Sequence, residues 1–268
     1  MKYKISEVAK MLGITPEAIR YYEQQNIIKP SKSDSSGYRS YSVWDMHALL
    51  HARSYRQYGF TLSETADLIN NCDLEDIIGK LQDKTTELEK EAAYALSLVK
   101  SIHHMQEIMA DAETFIGKYR IEQRPAMYRL DNEDQYVLIK DPQIKKETCR
   151  WIEHVPFVFT SARWTKEEYE QGGKKHYFGL CIEEEFADFL PDDLPPYITY
   201  LPSRSCVYTV IQSCPSKRLT PQRLQPAIAY MREQGMSLTG DIISRVVNYR
   251  KTTDEYVNYH QVWLPFEE

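Results

Sequence analysis

The sequence predicts an α-helical N-terminal part followed by an α+β domain, and three observations carry that expectation. Short helix signals, each with its own cap or turn residue, crowd the stretch through Asn71. An amphipathic segment with a seven-residue apolar repeat then runs from about Leu74 to Lys118, without proline and with Gly79 as the one glycine before Gly117. Beyond Gly117 tyrosines and prolines multiply and the apolar period shortens. The 268 residues have room for a small head, a connecting helix and one compact domain, with boundaries expected at 1–72, 73–119 and 120–268.

In the head, Ser6 is the expected cap of a first helix whose apolar side is Val8, Ala9 and Leu12. Gly13 supplies the turn, because glycine takes positive φ without steric cost. Thr15 caps the second helix and Pro16 occupies its first position. Ala18, Ile19 and Tyr22 then face inward, leaving Glu17, Arg20, Tyr21 and Gln24 outward. Ser36-Gly37 is a turn signal, and Tyr38, Arg39 and Tyr41 follow in extended spacing. Ser42, with Asp45 three residues on, opens a third helix through about Tyr58, and Thr61-Leu-Ser-Glu64 is a capping box for a fourth. Two short helices around a tight turn, then a basic aromatic hairpin, form a winged helix-turn-helix. Such a unit places one helix in a DNA major groove and the wing along adjacent phosphates, where tyrosine hydroxyls and guanidinium groups bond phosphate oxygens.

Charge divides the same way. Through Asn71 nine basic side chains face seven acidic ones, a balance of +2 against −6 for the whole chain, which leaves −8 on the rest. A mildly basic end on an acidic body suits contact with nucleic acid by that end alone.

Ile19-Arg-Tyr-Tyr-Glu23 and Gly37-Tyr-Arg-Ser-Tyr41, at this separation and in this order of elements, resemble the MerR family of transcription regulators over roughly residues 4 to 71. The resemblance implies DNA contacts from Thr15, Glu17, Arg20 and Tyr21, from the Tyr38, Arg39 and Tyr41 wing, and from Arg53 and Arg56, the last at a second wing. It also implies a homodimer on a pseudo-palindromic operator in double-stranded promoter DNA, working with RNA polymerase. A ligand-loaded dimer would bend and untwist an over-long promoter spacer so that both promoter elements can be used.

The long segment carries one apolar series at Leu81, Leu88, Ala95, Ile102, Met109 and Ile116. A second runs through Ile78, Thr85, Ala92, Val99 and Gln106. Offsets of three and four alternate between them, the two-seam pattern of a coiled coil, with Asp73 as N-cap. The family resemblance implies an antiparallel pairing of two protomers through this helix.

In the C-terminal part, strands are expected at about Ala126–Arg129, Gln135–Lys140, Lys175–Ile182, Tyr197–Leu201, Cys206–Ser213, Asp241–Arg250 and Val257–Pro265. Helices are expected at about Gln143–His154 and Pro221–Gln234, the second opened by Thr220-Pro221 and stopped by Gly235. Two runs of strand, helix and antiparallel strands suggest an internal repeat. This order, Gly240-Asp241 before a strand and the closing Gln261-Val-Trp-Leu-Pro265 resemble the GyrI-like effector-binding domain that follows many MerR-type heads. The fold class expected is therefore α plus α+β: a winged helix-turn-helix, a long dimerisation helix and a GyrI-like α+β effector domain.

An aromatic cleft in such a domain would bury a small hydrophobic aromatic ligand. Tyr177, Tyr208, Tyr249, Tyr259 and Trp263 from strands and Trp151 from a helix are the candidate walls, unless these rings fill the core. Tyr259, Gln261 and Trp263 share one strand face, and His260, Val262 and Leu264 the other. Where multidrug-sensing relatives place glutamates on the last two strands, Ser244 and Gln261 stand here, so the charge of the ligand is open. Glu183, Glu184, Glu185 or Asp241 are alternative sources of charge, although acidic runs are commonly solvated.

Other chemistries draw less from the sequence. Cys72 lies just before the long helix, but the next cysteine is Cys149, and His103-His104 diverge on a helix, so metal binding is not expected. Metal- or redox-responsive regulation is the alternative class. Five cysteines, an odd number without CxxC spacing, suggest reduced thiols in a cytoplasm. No leader peptide is expected at Met1-Lys-Tyr-Lys, and no apolar run approaches a membrane span. No phosphate loop or nucleophile elbow is present, and nothing in the sequence sets a serine or cysteine beside His154, His176 or His260. A non-enzymatic protein without cofactor is expected, with a small-molecule hydrolase fused to the head as a remote alternative.

Overall fold

A computed structural model describes residues 2–32, 38–173, 175–191, 193–251, 253 and 255–267; the side chains of Lys32, Asn248 and Tyr249 also lie outside the described set. The chain forms two compact units, Met1–Tyr94 and Ala95–Glu268, divided within a long helix.

The first unit begins with α1 (Ile5–Leu12) and α2 (Pro16–Gln24). Gly13 joins them at φ 62°, as the helix-turn-helix requires. Ser6 does not cap α1: the cap position falls two residues earlier, at Lys4, and the Glu7 carboxylate reaches back to accept the Lys4 amide at 2.6 Å. Thr15 does cap α2, its Oγ1 accepting the Ala18 amide at 3.1 Å, a contact typically worth about 1 kcal/mol. A hairpin follows, β1 (Ser31–Lys32) pairing antiparallel with β2 (Arg39–Ser40). The expected Ser36-Gly37 turn lies outside the described residues. Next come α3 (Val43–Gln57), closed at its start by the Ser42–Asp45 capping box, and α4 (Leu62–Asn70), closed by Thr61–Glu64. Val8, Ile19, Ile28, Leu49 and Ala52 form the core these helices share.

The long helix α5 (Leu74–Ala112) starts at Asp73, whose Oδ1 accepts the Asp76 amide at 2.9 Å. It stops six residues short of the expected Lys118, in a turn before Gly117 at φ 70°.

The second unit holds β3 (Arg120–Arg124), β4 (Met127–Asp134), β5 (Val137–Leu138), α6 (Pro142–Ile152), β6 (Val158–Trp164), α7 (Lys166–Glu170) and β7 (Tyr177–Glu183). Then follow β8 (Ile198–Leu201), β9 (Arg204–Ser213), α8 (Gln225–Glu233), β10 (Ser237–Leu238), β11 (Ile242–Lys251) and β12 (Tyr256–Glu267). All but β1 and β2 belong to one antiparallel sheet in the order β3-β9-β12-β11-β6-β7-β4-β5, with β8 on β4 and β10 on β12. The order is two copies of one motif. β4, α6, β6 and β7 repeat as β9, α8, β11 and β12, and β6 pairs with β11 where the copies meet. Strands β3, β6 and β10 and helix α7 have no counterpart among the elements expected from the sequence. The expected helix from Pro221 is a 3₁₀ turn to Leu224 before α8.

The two faces of this sheet separate by alternation. Val158, Ala162 and Trp164 of β6 face α6 and α8, with Trp151 and Ile228 packed on that side. Phe159 of β6 faces the other way, where Ile108 and Ala112 of α5, with Phe115 beyond its end, cover Tyr208, Tyr259 and Trp263. Among the described residues no helix is long and apolar enough to cross a membrane.

Candidate functional site

The outward face of α2 is free of packing. Glu17, Arg20, Tyr21 and Gln24 are exposed, Tyr21 at 57%, while Ile19 is wholly buried on the opposite side. Arg20 lies 3.8 Å from Glu17, a loose surface pair that a phosphate can displace. On the wing, Tyr38 is 79% exposed. Arg39 is bound to Glu23 of α2 at 2.8 Å, an exposed pair that raises the guanidinium pKa through this hydrogen bond and fixes the wing against the helix. These side chains form one surface of donors and rings on two adjoining elements.

Three residues expected on that surface have internal roles in the structure. Tyr41 bridges to Tyr3 at the base of the hairpin, and its side chain is wholly buried; its hydroxyl has no partner among the described residues. Arg53 donates to the Leu12 carbonyl, and so closes the end of α1 beside the turn. Arg56 donates to the Phe60 carbonyl and closes the end of α3. Both arginines are exposed and keep further N–H groups for a phosphate. Sequence reasoning missed Trp44, 79% exposed in the first turn of α3, just past the hairpin. Its signal was a tryptophan next to the Ser42 cap, one position before Asp45.

The stripe of α5 that carries the heptad pattern is bare. Ile78, Leu88, Val99, Ile102 and Met109 are each 44 to 54% exposed. In the second unit a separate stripe, Ser101, Met105, Ile108 and Ala112, packs against the sheet. One helix thus presents two apolar faces, one of them without a partner among the described residues.

The candidate effector residues divide between the sheet faces. Tyr208, Tyr259, Gln261 and Trp263 come together under α5, all buried and each engaged. Gln261 Nε2 donates to Tyr208 Oη at 3.1 Å, Tyr259 donates to Glu113 at 2.9 Å, and Trp263 Nε1 donates to Glu122 at 2.8 Å. Tyr177, half-buried, stacks under Arg163 at 5.0 Å. Ser244 points to the opposite face, where its Oγ accepts the Ala162 amide. Trp151 is wholly buried in the core beneath α6, its Nε1 donating to Glu147 at 3.1 Å. The side chain of Tyr249 lies outside the described residues. The acidic alternatives are spoken for: Glu183 by Arg245 and His104, Glu184 by Tyr200, Glu185 by Lys100 and Asp241 by Arg163. Burial pushes the Glu183 carboxyl up, but its bonds from His104 and Arg245 outweigh that and hold it below the usual carboxylate range.

A cleft of about 510 Å³ opens instead on the helix-bearing face, where the two repeats meet. Phe178, Tyr136 and Tyr256 give it aromatic walls, and Glu133, Arg218 and His260 give it polar ones. Tyr136 packs on Phe178 with ring centres 5.0 Å apart. His260 is 2% exposed; its Nε2 lies 2.7 Å from Ser213 Oγ, and its Nδ1 has no partner among the described residues. The structure therefore does set a serine beside a histidine. Burial, with the Arg223 charge nearby, pushes that imidazole down to about 4, so it is a poor base near neutrality, and among the described residues no carboxylate orients it. The pair is a hydrogen bond of the cleft wall. Glu133 had no sequence signal beyond an acidic residue before a hairpin turn. Cys72 Sγ lies 3.7 Å from Asp67, and no group of three or more His, Cys, Asp or Glu able to hold a metal occurs among the described residues.

Comparison with known proteins bears on the first unit. The sequence pattern described as MerR HTH family regulatory protein matches residues 3–72. The HTH-type transcriptional regulator CueR of Escherichia coli O6:H1 is 41% identical over 66 residues, 25% of this chain and 49% of CueR. The chain thus spans about half the length of that relative. The HTH-type transcriptional regulator ZntR of Escherichia coli K12 is 30% identical over 111 residues, 39% of this chain and 79% of ZntR. A solved structure, the cryo-EM structure of the EcmrR-DNA complex in EcmrR-RPo, aligns with 99% of this chain and 100% of its own at 16% identity and a TM-score of 0.40.

Proposed function

The chain belongs to the MerR family of helix-turn-helix regulatory proteins, and from that premise we propose that it is a homodimeric, ligand-responsive transcription regulator of promoter DNA. The observation that carries this is the free outward face of α2 beside the wing, with Arg20, Tyr21, Tyr38 and Arg39 exposed on adjoining elements. Thr15 and Glu17, at the start of α2, sit where a helix N-terminus favours a phosphate. Arg53 and Arg56 contribute the N–H groups that the carbonyls of Leu12 and Phe60 leave free.

The bare heptad stripe of α5 supports the dimer. Apolar side chains of this size, about half exposed at seven-residue intervals, are what a second copy of the same helix covers. An antiparallel arrangement brings Ala92 and Ala95 of one protomer near those of its partner, where small side chains permit close approach. Two heads then address a pseudo-palindromic operator.

The effector is a small hydrophobic aromatic compound, and the cleft between the repeats receives it. The aromatic candidates beneath α5 then act as the packed support of that cleft. Occupancy shifts the dimer toward a conformation that bends and untwists an over-long promoter spacer for RNA polymerase. The test is binding of promoter fragments across a salt series. Arg39→Ala weakens binding to every duplex and lowers the magnitude of the salt slope by about 1; unchanged affinity and slope remove the wing from the interface.

A further inference from the structure

The cleft carries two opposite charges that no described residue pairs, and the inference from them rests on the cleft being the effector site. Glu133 comes from the outer strand of the first repeat, and Arg218 from the loop after β9 in the second. Neither belongs to an ion pair among the described residues, whereas on the opposite face half-buried Asp131 and buried Glu183 are both engaged. Burial pushes the Glu133 carboxyl up, and no described group favours its charge. The Arg218 guanidinium lies over the Tyr136 ring, 5.6 Å from its centre.

Tyr136 gives a second, independent sign. Gln135 and Tyr136 form the turn between β4 and β5 with φ of 50° and 70°. Left-handed backbone costs roughly 1–2 kcal/mol for a residue with a side chain, and turns of this kind ordinarily use Asn-Gly. The sequence accepts the cost at a residue whose ring closes over the cleft between Phe178 and Arg218. Strain held at such a place is a mark of a ligand clamp.

We propose that the cleft binds a flat aromatic zwitterion. Its ring lies against Tyr136 and Phe178, its basic nitrogen meets Glu133, and its acidic group meets Arg218. A lipophilic cation satisfies Glu133 but is brought up against Arg218. An aromatic anion does the reverse. A molecule with both charges compensates both side chains as they lose water.

The test titrates the full-length protein with three probes: tetraphenylphosphonium, 1-naphthoate and norfloxacin, a cation, an anion and an aromatic zwitterion. Norfloxacin is expected to bind at least about tenfold more tightly than the other two, and Glu133→Gln and Arg218→Met each to weaken it about tenfold. Arg218 is exposed, so its replacement leaves the fold intact. Tighter binding of tetraphenylphosphonium, or norfloxacin binding indifferent to Arg218→Met, overturns the charge assignment and leaves the cleft as the site. Norfloxacin binding indifferent to Tyr136→Ala and to both charge variants, or no saturable binding of any probe, overturns the cleft reading as well.

Discussion

The two faces of the C-terminal sheet do opposite things with polarity. On the face that α5 packs against, charge is buried or half-buried and answered: Arg129 with Asp131, Arg163 with Asp131 and Asp241, Arg245 with Glu183. Rings on that face are packed, and their polar atoms reach carboxylates or amides. On the helix-bearing side, α6 and α8 each cover their own repeat and leave a gap at the junction. Glu133, Arg218 and His260 line that gap without ionic partners among the described residues. A filled face holds the domain together and ties it to the end of α5; a face with unanswered groups is where a ligand adds something the fold lacks.

The contrast is open to direct attack. Glu183→Ala removes the partner of a guanidinium that is 5% exposed, and breaking a buried pair of this kind costs about 3–5 kcal/mol. Denaturant unfolding of the C-terminal unit measures it; a loss below about 1 kcal/mol contradicts the description of this face. The next effect belongs to His260. The unfolded imidazole titrates near its ordinary value, whereas the folded one is held down to about 4, so the unfolded chain binds the extra proton between these values. Stability from this residue is present above about pH 6.5 and is lost as pH falls toward 4, by about 3 kcal/mol in all. His260→Asn is expected to flatten the fall in melting temperature over that window. The smallest effect is at Glu133. Burial disfavours its charge, so Glu133→Gln is expected to leave stability near neutrality unchanged or raised by less than about 1 kcal/mol. A large destabilisation would show that Glu133 belongs with the answered charges of the other face.

How far the sequence could be read followed the range of the signals. Thr15-Pro16, Ser42 with Asp45, and Thr61 with Glu64 are contacts within one helical turn, and each forms as the residues suggest. Ser6 failed because Glu7 offered a competing contact to the Lys4 amide. The alternation of Tyr259, Gln261 and Trp263 against His260, Val262 and Leu264 was legible from period alone. Which of those faces carries a cleft was not, because that depends on where α5, α6 and α8 settle across more than a hundred residues of chain. Strand β3, Arg-Ile-Glu-Gln-Arg, reads as solvated because three of its five residues are charged, yet Arg124 is buried. Extended spacing puts Tyr41 on the wing but does not say which side of the hairpin meets the core; its bridge to Tyr3 and its burial in the head do. Arg53 and Arg56 carry the right charge in the right place, but their bonds to carbonyls at helix ends are long-range or geometric facts with no pattern of their own.

The central claim is that α2 and the wing of two paired protomers grip duplex DNA. Selection of bound duplexes from a random pool, followed by sequencing, tests it most directly. The account predicts enrichment of an inverted repeat with two-fold symmetry; recovery of a single unrepeated half-site, or no enrichment at low ionic strength, contradicts it.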